Sequence, residues 1–126
     1  MESLKRRADF LSVAQGRRIS RPGFVLQARQ TEAGESAAPG APAKIRAPRF
    51  GFTVTKKIGN AVVRNRIRRR LREVVRQAET AAEPATDYVI VGRRAALTLQ
   101  FERLVTDLRS GFAVLAGGGP SATRPN

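Results

Sequence analysis

Nine cations and a single carboxylate stand between Lys56 and Arg76, a net charge of +8. Arg64, Arg66, Arg68, Arg69, Arg70, Arg72 and Arg76 carry guanidinium groups, each a planar fork of donors that matches phosphate oxygens two at a time. Asn65 brings both a donor and an acceptor, suited to a base edge or a 2′-hydroxyl. On a helical wheel of about 100° per residue, Val63, Ile67, Leu71, Val74 and Ala78 share one apolar stripe. Asn65, Arg69, Arg72 and Arg76 fall opposite it, Arg68 beside them, and Arg64, Arg66 and Arg70 flank the stripe. Carboxylates at i+4, which would offset the mutual repulsion, are nearly missing. Lys56, Lys57, Gly59 and Asn60 lead into this helix, and free backbone N–H groups at its start add an anion site. The chemistry expected of such a face is phosphate binding. A solvated charged face normally mixes both signs, and a membrane-surface helix favours aromatic anchors that this one lacks.

Other chemistry is scarce. The 126 residues hold 24 Lys and Arg against 10 Asp and Glu, a net charge of +14, with no Cys and no His. No disulfide, zinc thiolate or imidazole base can form. The acids are scattered; Glu79 and Glu83 could share a face, but a helix ending accounts for them more simply. Gly92 and Gly117-Gly118-Gly119 lack a phosphate-loop pattern. No catalytic residue and no metal ligand are therefore expected in the protein. The balance of charge calls for a polyanion, nucleic acid before an anionic membrane or an acidic protein. No apolar run approaches the roughly 20 residues of a membrane span. The basic start, Met1 to Arg7, is not followed by the apolar stretch of a targeting signal. A cytoplasmic location is expected.

The elements that must position the basic helix follow from periodicity. Leu4, Ala8, Leu11 and Ala14 predict a first helix over 4–15, widened by Phe10 and Val13 and stopped at Gly16. Residues 23–29 read as a strand. Residues 30–47, rich in Gly, Ala, Pro, Ser and Glu, read as a flexible loop insertion. Phe50, Phe52 and Val54 alternate along a second strand, 49–55. The basic helix covers 61–78. Asp87 to Gly92 is a nearly continuous apolar strand of the kind buried on both faces. A last helix spans 99–115, with Thr98 as N-cap and Phe101, Leu104, Val105, Leu108 and Phe112 as its stripe. Residues 117–126 read as a disordered tail. This gives one α+β domain, 1–116, a small sandwich of helices on a sheet in the order helix–strand–strand–helix–strand–helix.

The run from Arg49 to Glu73, with its lysine pair, Gly59-Asn60 turn and Arg64-Asn65-Arg66 helix, closely resembles the signature of the bacterial ribonuclease P protein family. Leu4 to Phe10, Asp87 to Arg93, and Phe101, Leu104, Asp107 and Leu108 resemble its first helix, last core strand and last helix. The resemblance covers most of 4–115 in the right order. It implies an αβββαβα order with a left-handed βαβ crossover, one strand more than the pattern alone. Arg17–Ser20 or the 23–29 segment must supply that strand.

It further implies a subunit that binds the catalytic RNA of ribonuclease P and the 5′ leader of precursor tRNA. The RNA subunit, with bound Mg²⁺, would remove the leader. No membrane and no obligate protein partner would be involved. Arg64, Asn65, Arg66, Arg68 and Arg72 match the family's RNA-contacting helix, with Arg69 and Asn60 in the same run and Lys56 and Lys57 in the adjoining turn. Phe10, with Arg17, would line a leader-binding cleft between the first helix and the sheet. Ala14 and Gln27 stand where other members often carry aromatics, which leaves Phe10 isolated. Two readings of Phe10 stand side by side, a base-stacking ring and a core residue. A ribosomal-type structural RNA-binding protein and a DNA-binding protein are the competing functions, the latter without a helix-turn-helix pattern.

Overall fold

The structure, a computed structural model, describes residues 2–30 and 47–116. Its elements in chain order are β1 (Glu2–Ser3), α1 (Arg7–Ala14), β2 (Arg17–Ser20), β3 (Phe24–Gln30), β4 (Arg49–Thr53), α2 (Ala61–Ala78), β5 (Thr86–Gly92) and α3 (Phe101–Ala116). Short 3-10 turns fill Lys56–Ile58, Glu79–Ala81 and Arg94–Leu97. From α1 onward the order is αβββαβα, and Arg17–Ser20 is the strand that pattern alone missed. The sheet runs β1-β4-β5-β3-β2. β5 pairs parallel with β4 and antiparallel with β3, so it is central, as its apolar run demands.

α2 and α3 cover one face of the sheet. Ile67, Leu71, Val74, Val75 and Ala78 of α2 are buried against it, as are Leu104, Leu108, Phe112 and Leu115 of α3. Three rings lock the layers: Phe50 stacks on Tyr88 at 5.5 Å between centroids, and Phe112 tilts onto Tyr88 at 4.8 Å. Truncating one of these phenylalanines to alanine would cost roughly 3–5 kcal/mol. The Tyr88 hydroxyl accepts the Glu83 N–H at 2.9 Å, so its burial leaves no orphan oxygen. At Gly92 a Cβ would come within 2.7 Å of Ile67 Cγ2, so glycine lets α2 settle onto β5.

α1 crosses the opposite face, over a smaller cluster of Leu4, Val13 and Val89 with Phe10 and Val91 against it. Here the structure departs from the expected helix over 4–15. Leu4 belongs to the lead-in after β1: its N–H donates to the Phe50 carbonyl at 2.8 Å, and its side chain is buried. The expected stripe therefore turns outward, and Leu11 is 54 % exposed. Phe10 and Val13, the bulkier side chains, face the sheet instead. Below them Arg49 of β4 donates to Asp87 of β5 through Nε (2.9 Å) and Nη2 (2.7 Å), directly across the ladder.

Two further boundaries are corrected. β3 runs on through Gln30, which pairs with Thr86. The rest of the expected loop, except Ala47, and the expected tail lie outside the described residues. Thr98 does not cap α3: its hydroxyl donates toward the Ala95 carbonyl at 3.4 Å, closing the turn before it. The first bond of α3 is Leu104 N–H to the Gln100 carbonyl.

Candidate nucleic-acid interface

α2 begins as its sequence requires. Asn60 is extended, and its Oδ1 accepts the Val63 N–H at 3.0 Å, satisfying one free donor of the first turn. That fixes the role of the Asn60 side-chain oxygen: it is a helix cap, and only the amide NH₂ faces outward. The Lys56–Ile58 turn precedes it with both lysines exposed. Arg94 holds the turn by donating to the Ile58 carbonyl at 2.6 Å.

The arginines of α2 divide by what they touch. Arg66, Arg69, Arg72 and Arg76 are exposed, while Arg64, Arg68 and Arg70 are partly buried. Arg76 meets Glu73 at 2.9 Å and is the α2 arginine that has a carboxylate partner among the described residues. Arg68 donates to Asn65 Oδ1 at 3.2 Å. Arg72 lies over the Phe52 ring of β4, 5.6 Å from its centroid, a cation–π contact that steadies a charged side chain without neutralising it. Arg70 turns toward α3, where it donates to the Leu99 carbonyl at 2.6 Å and covers Phe101. The Nε atoms of Arg64 and Arg70 are buried and make no hydrogen bond among the described residues. The stretch from Lys56 to Arg72 is thus cationic on its outward side with no acid in its own sequence, a field that would concentrate a polyanion.

Phe10 and Arg17 stand apart from this surface and from each other. Alternation places Phe50, Tyr88, Leu26 and Ile19 on the α2/α3 face. Arg17 pairs with Ala28, one of the same set, so it shares that face. There it borders a cavity of about 350 Å³ with Ala28, Glu83, Thr86, Tyr88 and Leu115. Burial pushes the Tyr88 phenol above its ordinary value. Phe10 lies on the other face, its ring against Gly51, where a Cβ would come within 2.5 Å of it. The expectation that the two line one cleft is corrected by the phase of β2. Arg18, paired with Gln27, is the β2 arginine on the Phe10 side. The signal was available, since inward Ile19 fixes Arg17 inward and Arg18 outward. Phe10 itself is half-buried, one side of its ring packed on the sheet.

Two cations escaped the sequence reading. Arg93 and Arg94 follow β5 directly and are exposed; Arg93 donates to Ser20 Oγ at 2.6 Å. Because β4 and β5 are parallel and paired up to Thr53 and Val91, Arg94 emerges beside the Lys56–Ile58 turn, whereas Arg93 turns toward β2. A basic pair closing an apolar strand was the available clue. Among the described residues no three metal-ligating side chains come together, and no helix is long and apolar enough to cross a membrane.

Comparison with known proteins places the chain in a family. A protein-family model described as Ribonuclease P matches residues 1–116. The ribonuclease P protein component of Gluconacetobacter diazotrophicus is 50% identical over 109 residues, covering 84% of each chain. That of Brucella suis is 47% identical over 106 residues, covering 83% of this chain and 73% of its own. Among solved structures, the Staphylococcus aureus RNase P protein superposes with a TM-score of 0.66 at 25% identity, covering 92% of this chain and 95% of that one. The Thermotoga maritima protein gives 0.67 at 24% identity, covering 89% and 96%, a likeness of fold.

Proposed function

The chain belongs to the ribonuclease P protein family, a component of an RNA-processing ribonuclease, and from that premise we propose that α2 is its docking surface for the RNA subunit. The observation that carries this reading is the run of cations on α2 and the turn before it, from Lys56 to Arg72, that meet no carboxylate among the described residues. Lys56, Lys57, Arg64, Arg66, Arg68, Arg69 and Arg72 neutralise phosphates, and Asn65 donates to a base edge or a 2′-hydroxyl. Asn60 acts chiefly through the helix start that it caps.

The 5′ leader of precursor tRNA runs, in this reading, across the sheet face that carries α1. Phe10, Thr53, Val91 and Val25 offer a half-buried, partly apolar floor there, with Arg18 on one side. Stacking on Phe10 would contribute roughly 1–3 kcal/mol per base.

Bond cleavage is assigned to the RNA subunit and its magnesium. The described residues do not fit a magnesium site: Asp9, Glu73, Asp87 and Asp107 face arginines, and among the described residues no three ligands gather. The protein's part is to neutralise phosphate repulsion between RNA segments and hold the leader in place, in the cytoplasm where precursor tRNA is made. Reconstitution tests this. The isolated chain should leave precursor tRNA intact, and adding it to the cognate RNA subunit at low magnesium should restore leader removal. Absence of stimulation, with co-sedimentation on ribosomal subunits, would instead identify a ribosomal-type protein.

A further inference from the structure

The most exposed large apolar side chain among the described residues is Val62, at 62 %. It lies inside the cationic field. Residues 62, 65, 66 and 69 share one helical face, so Val62 borders Asn65 and Arg66, with Arg69 one turn further on. An isopropyl group is of no use against phosphates, and its exposure costs hydration. A-form RNA helices hide their base faces and show a protein mainly riboses and phosphates, whereas an unstacked base offers a broad apolar surface.

Asn65 adds a second, independent constraint. Its Oδ1 accepts from Arg68 Nη1, and arginine can only donate, so the amide is oriented by chemistry. The end left over is the NH₂, a donor, one turn beyond Val62. What fits beside a donor and an isopropyl group, with guanidiniums on the same face, is a nucleotide taken out of its stack. The base face meets Val62, an acceptor on its edge meets Asn65, and its flanking phosphates meet Arg66 and Arg69.

The geometry points to Val62 as the contact for an unstacked base in the RNA partner. Resting on the reading of α2 as the RNA-facing helix, it makes the partner surface a bulge or junction and not a continuous duplex. The test uses the full chain and its cognate RNA subunit. Val62→Ala should weaken binding roughly tenfold, in line with the loss of about two buried methylenes, with no change in salt slope. Its melting temperature should hold or rise, because alanine is the better helix former. Val62→Lys separates the two surfaces: it should weaken binding as well, whereas a phosphate lying there would make it bind more tightly. Affinity for an unrelated RNA duplex should not respond to Val62→Ala. Wild-type affinity in Val62→Ala, or tighter binding by Val62→Lys, overturns the inference. If Arg66→Ala and Arg69→Ala also leave affinity for the RNA subunit unchanged, the fault lies with the assignment of α2 itself.

Discussion

Arg70 donates to the main-chain carbonyl of Leu99 at 2.6 Å and lies over the Phe101 ring, tying α2 to the entrance of α3. Its neighbours Arg66 and Arg69 make no such bond among the described residues. One helix thus carries arginines of two kinds, some held by the fold and others facing outward. Arg70→Ala should lower stability by roughly 2 kcal/mol, the loss of a charge-assisted hydrogen bond and its packing, measured by urea unfolding. Arg66→Ala should do the reverse, leaving the unfolding midpoint in place and weakening RNA binding. Arg68→Ala should behave like Arg66→Ala, its partner Asn65 being exposed. A large loss of stability in Arg66→Ala would place that side chain in the fold.

Salt should report the number of phosphates neutralised. If about five are engaged, log K should fall against log salt with a slope near −4. Arg66→Ala should make that slope shallower by about 1. A slope close to zero would leave hydrogen bonding and stacking to carry the complex.

Asn60 permits capping and charge to be separated. Asn60→Ala removes the acceptor for Val63 N–H and should cost about 1 kcal/mol. Asn60→Asp keeps that acceptor and places a carboxylate at the helix start, which favours the fold but opposes an incoming phosphate. Thermal melts should therefore rank aspartate with the native asparagine. RNA affinity should fall for Asn60→Asp below that of Asn60→Ala.

The chain has one tyrosine and no tryptophan, so alkaline absorbance reads Tyr88 alone. Burial raises its pKa above 10.0. The folded state therefore favours the neutral phenol. The linked stability is fully present below the unfolded pKa and is lost as pH rises through the folded one. The absorbance midpoint should lie above 10 in the native protein and return to about 10 in denaturant. Equal midpoints would mean that the hydroxyl reaches water.

Much of this was legible in the residues. α2 was bounded correctly because its apolar stripe is long, strongly periodic and preceded by a capping asparagine. β5 was recognised because a central strand needs no alternation. The first helix was misjudged for a physical reason: Leu4 repeats at helical spacing, yet backbone pairing with β4 claims it, and periodicity cannot see a partner strand. Thr98 looked like a cap because nothing local announces a 3-10 turn before α3. The misplacement of Arg17 was avoidable, since Ile19 sets the phase of its strand. The wheel set Arg64 and Arg70 beside the buried stripe, but the partners of Arg70 and Arg72 were not legible, because Leu99 and Phe52 approach from elements distant in sequence.

Contacts on two sides of α2, Arg72 over Phe52 toward the sheet edge and Arg70 on Leu99 toward α3, fix the helix in phase as well as in place. Inserting a single residue near Glu73 would swing everything beyond it by about 100°, carrying Val74 and Ala78 out of the interior and Arg76 to a new bearing. Point substitutions on the outer face can be absorbed one by one, but the length of this segment cannot drift. Its count of residues works as a gauge that sets the bearing of every side chain beyond it.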